Sequence, residues 1–230
     1  MTRLVLLPGL DASGTLYDAI TAALPDRYPL TALSYPTDQP LDYDGLLDLV
    51  RPSMPTDEPW VLIGESFSGP LSIKLAAEEP AGLQALILCA TFARGPLPIP
   101  PWLVTSAVFW VPAPTVLMRT LMFEPGAPAP PVAQFMAAVN AVAAPVMATR
   151  ARAALGADVR QELQSIELPV MYLRAERDRL FGPHVHELVA AHRPGLSTSV
   201  IADSPHLVLQ RKATEAADAM VSWLDQVLAS

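Results

Sequence analysis

Ser66 is the residue of this chain best placed to do chemistry. It stands in Gly64-Glu65-Ser66-Phe67-Ser68-Gly69, close to the pattern Gly-x-Ser-x-Gly, with Ser68 in the fifth place and Gly69 one residue later. An apolar run precedes it and a helical pattern follows. A serine hydroxyl is a weak nucleophile until a base takes its proton. A tight strand-to-helix turn lifts such a hydroxyl clear of a sheet, and glycines beside it let neighbouring backbone approach. The positive end of the following helix favours negative charge developing there. This arrangement points to attack by Ser66 on an acyl carbonyl.

Such chemistry needs a base and an acid that orients it. The chain has four histidines, His184, His186, His192 and His206. The first three fall in one predicted helix, where the spacing of His184 and His186 puts them on different faces and suits no shared metal. His206 lies in Asp203-Ser204-Pro205-His206, after the last predicted strand and before the last helix. That places it on the same sheet edge as Ser66, and it is the expected base. The acid is expected between serine and histidine, at a strand's carboxyl end. Ala175-Glu176-Arg177-Asp178 follows the run 170–174, and Asp178 is the expected acid, with Glu176 as the alternative. Asp203 reads as a turn former, and Asp158 stands at the wrong end of that strand. Two backbone N–H groups should hold the oxyanion. They are assigned to Phe67, immediately after the serine, and to Leu10 in the loop Pro8-Gly9-Leu10-Asp11-Ala12-Ser13-Gly14. That loop lacks Gly-x-Gly-x-x-Gly and is no dinucleotide fingerprint.

The elements that must position these groups alternate along the chain. Strand-like runs cover 4–7, 30–34, 61–64, 85–89, 170–174 and 198–201, with amphipathic stretches at 16–24, 45–51, 71–79, 184–192 and 214–228. This alternation predicts an α/β fold, a doubly wound and mostly parallel sheet of six strands covered on both faces. Sites in such sheets lie beyond the carboxyl ends of the strands, where Ser66, Asp178 and His206 all fall.

Residues 95–145 break the rhythm. They hold 11 of the 25 prolines but only Arg119 and Glu124 among charged residues. Proline at this density breaks a chain into short helices, and the missing charge predicts burial. The segment reads either as ordinary core packing of short helices or, as its place between the fourth and fifth predicted strands favours, as an insertion over the sheet, with Trp102, Phe109, Trp110, Met118, Met122 and Phe123 lining an apolar substrate pocket. The uncharged run 102–118 is short for a membrane span and carries Pro112 and Pro114. The net charge of −8 argues against nucleic acid or an anionic membrane as partner. Cys89 is the only cysteine, so no intrachain disulfide forms, and its apolar run predicts a buried thiol. No secretory signal appears at the amino terminus, so a cytoplasmic protein is expected.

On Leu-Leu-Pro-Gly-Leu-Asp (6–11), Gly-Glu-Ser-Phe-Ser-Gly (64–69), Leu-Arg-Ala-Glu-Arg-Asp (173–178) and Ser-Pro-His (204–206), the chain resembles the α/β-hydrolase superfamily over nearly its whole length. Within it, the chain is similar to small lidded carboxylesterases, including those that cleave pimeloyl-carrier-protein methyl ester. The resemblance implies a minimal six-stranded core (1–93 and 151–230), a helical cap (94–150), and the same assignments of Ser66, Asp178, His206, Leu10 and Phe67. Pro8-Gly9 stands where many relatives have His-Gly, but the donated group is backbone N–H, so the donor survives. The expected activity is hydrolysis of small carboxylic esters with apolar or acyl-chain groups, free or carried by a protein, through an acyl-enzyme and without metal or organic cofactor. Thioester, lactone or acyl-transfer chemistry uses the same groups, and a non-catalytic ligand receptor is the remaining class. Self-association through the cap would give a homodimer.

Overall fold

The computed structural model describes residues 1–229. Six strands form one sheet among the described residues: β1 (Arg3–Leu7), β2 (Leu30–Ala32), β3 (Trp60–Glu65), β4 (Leu83–Cys89), β5 (Val170–Ala175) and β6 (Ser197–Ile201). Their order is β2-β1-β3-β4-β5-β6, and every pair is parallel. The central strands are apolar on both faces, as a doubly covered parallel sheet demands: all six residues of β3 are buried. β2 and β6, at the edges, alternate between half-buried and exposed positions.

One face packs on α2 (Tyr43–Val50), α3 (Gly69–Ala77), α7 (Arg160–Ser165) and α8 (Pro183–His192). The other packs on α1 (Asp18–Ala23), α9 (Val208–Arg211) and α10 (Ala213–Val227). The expected elements appear with shifts of a few residues at their ends. The amphipathic stretch 214–228 extends to 213–227 and is preceded by a separate short helix, α9.

Between β4 and β5 the chain forms short 3-10 turns, then α4 (Thr115–Met122), α5 (Ala129–Asn140) and α6 (Ala144–Gly156) before α7. Prolines stand at the first turns of α5 and α6, where no donor is lost. Two small apolar clusters hold the segment together. One joins Phe123, Val132, Phe135 and Met136 to Leu207, and the other joins Val142, Val146 and Met147 to Leu10 and Phe109. Burial is less complete than the missing charge predicts. Trp102 is 76% exposed and Trp110 75%, and α4 has no buried residue. Helices this short give one face to the interior, and no further layer covers the other. Among the described residues no single helix is long and apolar enough to cross a membrane.

Candidate active site

β3 delivers Ser66 into a sharp turn. The backbone of Ser66 has φ 48°, a left-handed conformation that side chains other than glycine's rarely adopt. Local strain of this kind persists where the surroundings fix it. Thr91, just beyond β4, supplies one such hold, its hydroxyl donating to the Ser66 carbonyl. Space supplies another. A Cβ on Gly64 would collide with Ser72, and one on Gly69 with Thr91. After the serine, the glycine needed for close approach is therefore Gly69. The fifth place of the motif goes to Ser68, whose hydroxyl meets the Tyr35 hydroxyl at 2.6 Å and donates to the Pro8 carbonyl.

His206, Asp178 and Ser66 come together as the sequence predicts. Ser66 Oγ lies 2.8 Å from His206 Nε2, and His206 Nδ1 lies 2.8 Å from Asp178 Oδ2. Asp178 Oδ1 accepts the N–H groups of Leu180 and Phe181 at 2.8 and 2.9 Å, which fixes the carboxyl plane in the loop after β5. With the carboxylate as acceptor, Nδ1 carries the proton and Nε2 accepts from the serine hydroxyl. The Phe181 ring packs edge-on against the imidazole at 5.0 Å. Glu176 instead accepts the N–H of Asp203, and Asp203 pairs with Arg177. Asp158 pairs with Arg160.

The remaining histidines stand elsewhere. His186 reaches Thr198 across to β6, and His192 bonds the Leu188 carbonyl within α8. Among the described residues no cluster of His, Cys, Asp or Glu could hold a metal ion. Cys89 is fully buried, and burial pushes its thiol well above the usual range.

The Leu10 loop and Ser66 line one cavity of ≈ 890 Å³. Gly9, Leu10, Ser66 and His206 line it, with Phe109, Trp110, Leu117, Met118, Met122, Val142 and Met147 from the segment between β4 and β5. Four of the six predicted pocket residues are therefore on its wall. The other two are corrections. Trp102 projects to solvent from a 3-10 turn, and Phe123 is buried behind the wall, edge-on to Phe135 at 5.6 Å. The N–H group of Leu10 has no protein acceptor among the described residues. Phe67 itself is fixed from behind, its ring stacked on Tyr43 at 4.9 Å and its carbonyl accepting the Tyr43 hydroxyl at 2.7 Å.

Sequence reasoning passed over two buried carboxyls beside the nucleophile. Glu65, 2% exposed, accepts hydrogen bonds from the Tyr17 hydroxyl and from Gln210 at 3.0 and 3.2 Å. Burial pushes its carboxyl up to about 7, outweighing those bonds. Asp11 is pushed up to about 6 by burial, opposed by the Ser13 N–H and the Arg150 charge. The Tyr17 hydroxyl also accepts the Gly9 N–H at 3.2 Å, tying this group to the Leu10 loop. One signal was available: alternation along β3 gives no polar side chain an exit to water at position 65.

An all-parallel six-stranded sheet flanked by helices, with this turn at the end of a central strand, defines the minimal α/β-hydrolase fold. The chain belongs to the α/β-hydrolase family described as Hydrolase_4, "Serine aminopeptidase, S33", which matches residues 37–210. A pimeloyl-acyl-carrier-protein methyl ester esterase of Neisseria meningitidis is 30% identical over 98 residues, 40% of this chain and 38% of that relative. The match thus spans less than two fifths of the relative's length. Among solved structures, an esterase from Exiguobacterium antarcticum superposes with a TM-score of 0.83 at 16% identity, covering 98% of this chain and 92% of that one. A thermophilic esterase from Thermogutta terrifontis gives 0.81 at 20% identity, covering 99% and 90%.

Proposed function

We propose that this chain hydrolyses carboxylic esters of apolar or acyl-chain substrates, with Ser66 as nucleophile, His206 as base and Asp178 as the acid that orients it. One observation carries this reading. The hydrogen-bonded series Ser66–His206–Asp178 ends on the wall of an apolar cavity, and Leu10, whose N–H has no protein acceptor among the described residues, lines the same wall. His206 Nε2 takes the serine proton as Oγ bonds to the ester carbonyl carbon. The oxyanion accepts the Leu10 and Phe67 N–H groups. Collapse breaks the bond to the alcohol oxygen, which leaves with the proton from His206. Water, deprotonated by His206, then attacks the acyl-enzyme, and the acid and free serine are restored.

The segment 94–150 acts as a cap in this reading, since it supplies most of the cavity wall. Apolar lining suits an acyl chain, and the esterase relative's name favours an acyl ester, free or carrier-bound. Hydrolysis of p-nitrophenyl esters from acetate to long acyl chains, compared with Ser66→Ala, tests the proposal. Turnover by the wild type that the variant lacks is the expected result. A folded wild type inert on every ester contradicts it.

A further inference from the structure

Arg150 lies on α6 and is 1% exposed. It shares the buried face of that helix with Val146 and Met147. Its Nη1 donates to the Leu10 carbonyl at 3.2 Å and its Nη2 to the Pro36 carbonyl at 2.8 Å. The guanidinium carbon sits 5.7 Å from the centre of the Tyr35 ring, and Nε has no partner among the described residues. Burying a guanidinium with an unmet donor is costly. Two carbonyl contacts, the Tyr35 ring and the nearby Asp11 carboxyl still leave that donor unmet, a poor return if stability alone is served.

The polar groups of the loop suggest what else is served. The Pro8 carbonyl is held by Ser68, the Gly9 N–H by Tyr17, the Gly9 carbonyl by the Ala12 N–H at 3.0 Å, and the Leu10 carbonyl by Arg150. Between Pro8 and Leu10 only the Leu10 N–H is left without a protein partner among the described residues. Each hold comes from a different place, and only that of Arg150 comes from the segment between β4 and β5. The same helix is tied at its start, where the Ala143 N–H donates to the Thr37 carbonyl at 2.9 Å. The cavity wall on α6 and the loop carrying Leu10 are thereby fastened together.

We infer that Arg150 is a positioning residue for the reaction at Ser66, fixing the Gly9–Asp11 loop so that the Leu10 N–H faces the reacting carbonyl. The inference rests on the assignment of that N–H as an oxyanion donor. A group acting this way works in the transition state, so its loss falls on kcat more than on KM.

The test uses Arg150→Met, which removes both donors, and Arg150→Lys, which keeps a buried cation and one attachment. Active sites are counted by labelling to completion with a fluorophosphonate, so misfolded protein does not count. Per labelled site, Arg150→Met should lose about 10–100-fold in kcat, with KM within about threefold, and Arg150→Lys should fall between it and the wild type. The rate of labelling should fall in parallel. A kcat per site within about twofold of wild type in Arg150→Met, or a loss confined to KM, overturns the inference. If Arg150→Met does not fold, Arg150→Lys decides: an unchanged kcat per site overturns it, and a reduced one with unchanged KM supports it. Active wild type with unaffected variants refutes this positioning role alone. Wild type that neither turns over esters nor takes the label refutes the esterase reading, and this inference with it.

Discussion

Ser66 is held by its neighbours in a conformation that its own backbone resists, and each neighbour can be tested singly. Ser66→Ala should lower kcat/KM for esters by at least about 10³-fold. Asp178→Asn keeps the packing but misplaces the imidazole proton, and should lower kcat by about 10³–10⁴-fold. Both are read by steady-state kinetics on one p-nitrophenyl ester. Glu65 gives a different signal. Its carboxyl is raised from 4.5 to about 7 in the folded protein. The folded state therefore binds more protons than the unfolded one between those values. Its contribution to stability is fully present below pH 4.5 and lost as pH rises through about 7. Glu65→Gln removes this dependence. Thermal melting from pH 4.5 to 8 should show the variant gaining on the wild type as pH rises. A constant difference across that range would contradict the assignment.

At the scale of elements, the short helices between β4 and β5 set the shape of the cavity, and Leu117 on α4 lines it. Leu117→Trp should shift the preferred p-nitrophenyl ester toward shorter acyl chains, because apolar walls discriminate by about 1–3 kcal/mol per methylene. An unchanged chain-length profile would remove α4 from the substrate path. Gly69→Ala drives a methyl into Thr91 and should cost about 1–3 kcal/mol, seen as a lowered melting temperature. Much at this scale was legible in the sequence. Uninterrupted apolar runs such as 61–63 and 86–88, alternating with amphipathic stretches, read as strands covered on both faces, and they are. Chain order then places Ser66, Asp178 and His206 at one sheet edge. The rest depended on which way a side chain turns. Trp102 and Phe109 look alike in the sequence, yet one faces solvent and the other the cavity. Arg150 reads as one more arginine on a helix. Only the packing of α6 against the Leu10 loop takes its charge inside.

The whole molecule combines a net charge of −8 with exposed apolar side chains on the segment between β4 and β5. Trp102, Val116 and the cavity-lining Trp110 and Val111 are each more than 70% exposed. Large apolar side chains exposed to this degree bind hydrophobic probes. Trp102→Ser combined with Val116→Ser, neither on the cavity wall, should reduce binding of an anilinonaphthalene dye while leaving turnover of a short, water-soluble ester unchanged. Equal dye binding by both proteins would place the exposed apolar surface elsewhere.

The central claim is that one serine, activated by His206, forms the covalent bond to the acyl group. Mass spectrometry of the intact protein and its peptides after fluorophosphonate treatment tests it most directly. The account predicts a single adduct per chain, on the peptide containing Ser66, and its loss or severe slowing in His206→Gln. A folded wild type that takes no adduct, or takes it on another residue, would contradict the account.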